Sequence, residues 1–333
     1  MAAVQSAELV CPAGTPAALR AAVAAGAHAV YCGFRNETNA RNFPGLNFSE
    51  AELANAVEFA HGRGSRVFVT VNTFARAGAV DLWRQAVDAA AAAGADAILA
   101  SDIAVLDHAA TRHPNLRLHL SVQAAAGTPE AIGFYAETFG IKRAVLPRVL
   151  SVEEIARLNT EIDVETEVFV FGGLCVMAEG RCALSSYATG KSPNLTGVCS
   201  PPSHVNYIED EDMLTAKLGG FTIDRFAPDE PAGYPTLCKG RFITKGCASH
   251  LFEDPVTLNA AALLVSLYRA GASAFKIEGR QRGKAYVTQV VKAFRSAVDS
   301  LDDDEAAAAV APRLATLTEG GRQTAGAYRK VWR

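Results

Sequence analysis

The sequence predicts a (β/α)8 barrel of the TIM type, and three observations point there. A helix-to-strand phrase recurs, as AGAHAV at 25–30, AGADAI at 93–98 and AGASAF at 270–275, with FGIKRAV at 139–145 as a looser copy. The run after each phrase is short and apolar, as in strands buried on both faces of a parallel sheet. The stretches between these runs carry apolar stripes at helical spacing. Eight strands alternating with helices suit a closed barrel, and a doubly wound open sheet is the competing arrangement.

Taken in order, the strands are read at 8–11, 29–32, 67–71, 97–100, 116–122, 144–146, 164–171 and 274–277. In each repeated phrase the Gly suits the left-handed position that ends a helix, and the next residues enter a strand. A helix around 79–93 puts Trp83, Ala86, Val87 and Ala90 on one face. A second, after 283, aligns Tyr286, Val287, Val290, Val291, Phe294 and Val298. His119 alternates with apolar neighbours and reads as a core histidine rather than a ligand. The barrel is expected over 1–301. A Gly-, Pro-, Ser- and Cys-rich insertion at 173–255 follows strand seven and projects from the C-terminal face, where active sites of this fold lie. The acidic run 302–305 reads as a solvated break. The tail to residue 333 carries Tyr328 and Trp332 and is expected to fold back on the protein or onto a partner.

Composition narrows the function classes. The chain has 333 residues, 50% hydrophobic and 20% charged, an ordinary globular balance. A net charge of −3 gives no electrostatic footprint for nucleic acid. The opening MAAVQSAELVCPAG has no basic segment followed by an apolar one, so no signal peptide is expected. No apolar run reaches the length of a membrane span. A cytoplasmic location follows as an expectation, and there clustered cysteines read as metal ligands or catalysts before disulfides.

The chain has seven cysteines, and five lie in the insertion. Cys11 and Cys32 end strands and read as small apolar residues. The others run Cys175-x6-Cys182-x16-Cys199-x38-Cys238, with Cys247 beyond. This lacks the paired C-x2-C of a zinc ribbon, and no His falls near the first three. A 4Fe–4S cluster, a zinc ion and no metal all stay open on spacing, with Cys247 a rival for the fourth position.

Longer stretches then resemble a known family. FGGLCVMAEGRCALSSYATGKSPNLTGVCSPP at 171–202, GYPTLCKGRF at 233–242 and KIEGRQRGKAYV at 276–287 are similar to the collagenase-like peptidase family U32. ELVCPAGTPAALRAAVAAGAHAVYCG, TNARNFPGLNF, LPRVLS and TAGAYRKVW extend the resemblance over nearly the whole chain. The distant fourth cysteine in a TLCKGR setting is similar to the UbiU-like branch. That resemblance implies a 4Fe–4S cluster on Cys175, Cys182, Cys199 and Cys238, with Cys247 outside it. It implies a heterodimer with a UbiV-like homologue, served by a UbiT-like lipid carrier. The implied reaction is hydroxylation, without dioxygen, of the aromatic ring of a prenylated ubiquinone precursor, with prephenate as oxygen donor.

Prephenate is a dianion, and Arg suits two-pronged carboxylate binding. Arg280 and Arg282 follow strand eight, Arg148 follows strand six, and Arg41 lies after strand two. Glu278 stands two residues before Arg280 and is expected on the same side, either holding the Arg or moving protons. Asn72, Gln123 and Asp102 also follow strands and are expected near the barrel mouth. The RNA-modifying members of the family offer a second reading, which the charge opposes. A peptidase would need a G-x-S-x-G elbow or an H-E-x-x-H pair, and neither is found. A cluster that only staples a non-catalytic scaffold is a fourth reading.

Overall fold

Eight parallel strands close on themselves in the computed structural model, which describes residues 7–175, 182–193, 198–210, 212–230, 232–318 and 322–329. They are β1 Glu8–Pro12, β2 Ala29–Gly33, β3 Arg66–Val71, β4 Ala97–Ala100, β5 Arg117–Leu120, β6 Arg143–Val145, β7 Glu165–Gly173 and β8 Ala274–Ile277. Each pairs in parallel with the next in this order, and β8 pairs with β1 as well as β7. Ala274 thus lies opposite Glu8 on one side and Glu167 on the other. The outer ring is α1 Pro16–Ala24, α2 Glu50–His61, α3 Asp81–Ala92, α4 Ile103–Arg112, α5 Pro129–Phe139, α6 Val152–Glu161, α7 Leu264–Arg269 and α8 Lys284–Val298. The barrel and its strand positions are as the sequence predicts.

The repeated phrase works as read. Gly26, Gly94, Gly140 and Gly271 have φ of 98°, 78°, 69° and 92°. A Cβ on Gly94 would meet only Val57 Cγ1, at an ordinary 3.7 Å. The cost of Gly94→Ala is therefore conformational, about 1–2 kcal/mol. Denaturant unfolding should show that loss, and a midpoint unchanged from the parent would mean that the junction does not need left-handed backbone. The stripe of α3 is buried at Trp83, Ala86, Val87 and Ala90, while in α8 only Tyr286 of the expected set stays partly exposed.

Inside the barrel lies a charged network that the apolar reading of the strands did not anticipate. Arg143 reaches Glu8 at 2.6 Å, Glu165 at 2.7 Å and Glu167 at 3.1 Å. Lys276 reaches the other oxygen of Glu167 at 2.6 Å. Burial alone would raise the Glu167 carboxyl, but Lys276 and Arg143 hold it below the usual range. Such groups persist in an interior only when paired and hydrogen-bonded. His119 is fully buried, edge-on to Phe68 at 4.8 Å between centroids, and accepts from Arg117 Nε at 3.0 Å. Burial, with Arg143 and Arg117 nearby, pushes it well below the ordinary imidazole range. It is a core residue, as expected.

Between β7 and β8 the chain is more ordered than its composition suggests. A three-stranded antiparallel sheet joins Val205–Glu209, Leu214–Leu218 and Phe221–Phe226. A hairpin pairs Arg241–Thr244 with Cys247–His250. The sheet builds a small core of its own from Ala188, Leu218 and Ile223, with Val205 and Leu237 against it. The strand Thr257–Asn259 then runs antiparallel to the end of β7, and Gln323–Thr324 adds beside it. Tyr328 is buried and donates its hydroxyl to the Phe169 carbonyl at 2.6 Å, so this part of the tail lies on the barrel. Trp332 lies outside the described residues. The acidic run is a cap rather than a plain break, since Asp303 accepts from Glu305 and Ala306 and opens the helix Asp304–Ala308. No helix among the described residues is long and apolar enough to cross a membrane.

Candidate active site at the barrel mouth

The C-terminal ends of the strands enclose a pocket of about 460 Å³, part of it open to solvent. At its floor stands Arg280, 4% exposed. Its Nη1 donates to Asn39 Oδ1 at 2.6 Å and to Thr70 Oγ1 at 2.8 Å. Burial, with Arg41 adding repulsion, draws its guanidinium down to about 10, which leaves it cationic near neutrality. Its carbon lies 5.5 Å from the Tyr31 ring centre, and Lys276 Nζ lies 3.8 Å from the same centre. Tyr31 is fixed in turn by donating to the Ile277 carbonyl at 2.8 Å. Burial lowers Lys276, which Glu167 partly offsets.

The support of Arg280 reaches across the barrel. A Cβ on Gly14 would sit 1.9 Å from the Arg280 carbonyl oxygen, so the loop after β1 admits only glycine there. Asn39 also donates to the Phe34 carbonyl and to Asn47 Oδ1, at 3.1 and 2.9 Å, and is fully buried. Asn39, Thr70, Tyr31 and Lys276 all escaped the sequence reading. Asn39 lies in the TNARNFPGLNF stretch, whose Asn-rich turn was the available signal.

The expected residues sort unevenly. Arg41, Asn72, Gln123, Arg148, Glu278 and Arg280 all line the pocket. Asn72 accepts from Ala40 N at 3.0 Å and donates to Ser121 Oγ at 3.2 Å. Arg148 lies over Phe169, its guanidinium carbon 3.7 Å from the ring centre. Arg282 departs from expectation: it lies outside the lining and sits over Tyr286 at 5.2 Å. Asp102 also departs, because it caps α4 and accepts from Ala75 N at 3.0 Å. The expected pairing of Glu278 with Arg280 is replaced as well. Glu278 lies 3.7 Å from Arg41 Nε and accepts from Gly173 N at 3.3 Å. β8 ends at Ile277, and Gly279 has φ of 149°, so strand alternation no longer governs the two side chains.

Gly173 ends β7, two residues before Cys175, so Glu278 touches the strand that leads into the cysteine region. Cys182 caps the helix Ala183–Thr189, and its sulfur accepts from Ser185 N at 3.4 Å. The Ser185 hydroxyl donates to the Cys199 carbonyl, tying those two segments together. Tyr234 donates to the Ser200 carbonyl at 2.9 Å. Cys238 sits in the turn Leu237–Lys239, beside Leu237 of the small core. Burial pushes the Cys238 thiol up to about 12, and the nearby Cys175, Cys199 and Cys182 push it the same way. Among the described residues no three cysteine sulfurs lie within 4.8 Å of one another. Cys247 is exposed in the hairpin. Cys11 and Cys32 are buried, and burial raises both thiols.

The profile of peptidase family U32 matches residues 14–325. Over 293 residues the chain is 29% identical to "tRNA hydroxylation protein P1" of Bacillus subtilis (strain 168), covering 88% of this chain and 63% of that protein. Over 303 residues it is 29% identical to "23S rRNA 5-hydroxycytidine C2501 synthase" of Escherichia coli (strain K12), covering 89% of this chain and 40% of that one. The solved structure of the U32 peptidase Mk0906 is 20% identical with a TM-score of 0.42, over 50% of this chain and 70% of that one. The chain thus spans less than two thirds of the length of these two curated relatives.

Proposed function

The chain belongs to peptidase family U32, and on that premise we propose that it is a hydroxylase subunit of the UbiU-like kind. The reaction proposed is dioxygen-independent hydroxylation of the aromatic ring of a prenylated ubiquinone precursor, with prephenate as oxygen donor. One observation carries it: a buried, pre-anchored Arg280 at the floor of a small pocket, with Arg41 and Arg148 also in the lining. Three guanidinium groups lining one pocket suit a dicarboxylate. Arg280 binds one carboxylate, held by Asn39 and Thr70 before the ligand arrives. Glu278 orients Arg41 for the other and stands ready to hold a proton. Asn72 and Gln123 supply amide groups along the wall.

Cys175, Cys182, Cys199 and Cys238 would hold the 4Fe–4S cluster, which when bound supplies one-electron chemistry. The working unit proposed is cytoplasmic and pairs this chain with a UbiV-like homologue, with a UbiT-like carrier presenting the greasy substrate. The names of the curated relatives favour a second reading, hydroxylation of RNA. The net charge of −3 weighs against it. A peptidase is disfavoured because the sequence holds neither a G-x-S-x-G elbow nor an H-E-x-x-H pair.

The deciding experiment incubates the anaerobic complex with prephenate and either a prenylated phenol or bulk tRNA and rRNA. Mass spectrometry should show a hydroxylated phenol that requires prephenate. Hydroxylated RNA with an unchanged phenol would transfer the assignment to the second reading.

A further inference from the structure

Outside the barrel mouth, three metal-donor atoms converge on the helical ring. Asp88 lies on α3, His108 on α4, and His113 at the C-terminal cap of α4. One donor atom of each lies within 4.8 Å of the others. His108 Nε2 is 2.8 Å and His113 Nε2 2.7 Å from the same oxygen, Asp88 Oδ1. Their ring centres are 6.2 Å apart at 71°.

This convergence is not a by-product of helix periodicity. Residues five apart on a helix point about 140° away from each other, so His108 and His113 would ordinarily face different ways. His113 instead has φ −131° and ψ 63°, outside the helical region. That bend returns its ring to the side where His108 meets α3. The side chains remain accessible, at 50% exposure for Asp88, 15% for His108 and 26% for His113. All three sit in the later part of their helices. Helices of this fold run back against the strands, so the group lies toward the end of the barrel opposite the mouth.

We propose that Asp88, His108 and His113 bind a divalent transition-metal ion of the zinc type. Two imidazole nitrogens and one carboxylate oxygen are an established donor set for such ions, with solvent completing the shell. The bound ion bridges α3 to α4 and braces the outer ring, away from the pocket. It needs nothing from the cysteine region.

The test uses the full chain and zinc chloride alone. Equilibrium dialysis and thermal melting are run on the parent, on Asp88→Asn, and on the double variant His108→Gln/His113→Gln. Asp88→Asn keeps the shape and loses the charge, which guards against a folding artefact. Cysteine sites are common to all three proteins, so the difference between them isolates this group. The expected result is one zinc per chain fewer in the variants at limiting metal. Affinity at this site should fall at least about tenfold, with loss of the matching zinc-dependent rise in Tm. Equal zinc counts and equal melting shifts in parent and variants would overturn the site, leaving two imidazoles that simply share hydrogen bonds with one carboxylate. A second reading needs no variant: zinc must shift the ring resonances of His108 and His113 in the parent, and unmoved resonances reject the proposal.

Discussion

Cys175→Ala, Cys182→Ala, Cys199→Ala and Cys238→Ala should each abolish the iron-dependent absorbance of anaerobically purified protein, and Cys247→Ala should leave it intact. The grouping rests on the surroundings of Cys238. Cys175, Cys199 and Cys182 all lie near enough to add to the effect of burial on its thiol, while Cys247 is exposed in the hairpin. The scaffold around it is built for fixed positions. Cys182 is held at a helix cap, Cys199 is tied to that helix through Ser185, and Cys238 sits on the small core through Leu237. Removing one ligand from such a site leaves an iron open to loss, so the effect should be near total rather than graded. Iron and sulfide counts beside the spectrum decide it. Cys175→Ala with full iron, or Cys247→Ala without it, would break this ligand set.

The barrel was legible because its repeating unit leaves a local mark. A glycine with left-handed backbone followed by an apolar run is written into the αβ junctions at Gly26, Gly94, Gly140 and Gly271. The interior charges were legible only in part. Glu165 and Glu167 alternate within β7 and Lys276 interrupts β8, which is the period-two trace of a polar interior. Their partners Glu8 and Arg143 come from strands distant in sequence, and that pairing exists only after closure. The same holds for Arg280, whose anchors Asn39 and Thr70 lie 241 and 210 residues away. Strand alternation suggested Glu278 instead, and it fails because β8 stops one residue before Glu278. The capping role of Asp102 was readable, since Asp directly before an apolar-striped helix is a common N-cap.

Arg280→Ala should weaken prephenate binding by about 2–5 kcal/mol, or roughly thirty- to five-thousand-fold in Kd. The size follows from burial. Arg280 lies almost wholly out of water, so a carboxylate on the pocket floor loses its solvent there and depends on this guanidinium. Asn39 and Thr70 both take Nη1, which fixes the plane of the fork before a ligand arrives. Arg280→Lys restores charge without that plane, and should recover only part of the loss. Glu278→Gln should cost less than Arg280→Ala. Its amide oxygen can still accept from Gly173 N, and what disappears is the attraction on Arg41 at 3.7 Å. If hydroxylation in Glu278→Gln falls while prephenate binding holds, Glu278 moves a proton rather than orienting Arg41. Calorimetric titration with prephenate gives the affinities, and iron content with a melting curve shows that each variant keeps its fold. Parent-like binding by Arg280→Ala with its iron intact would move the anion site to Arg148 and Arg41, which line the same pocket.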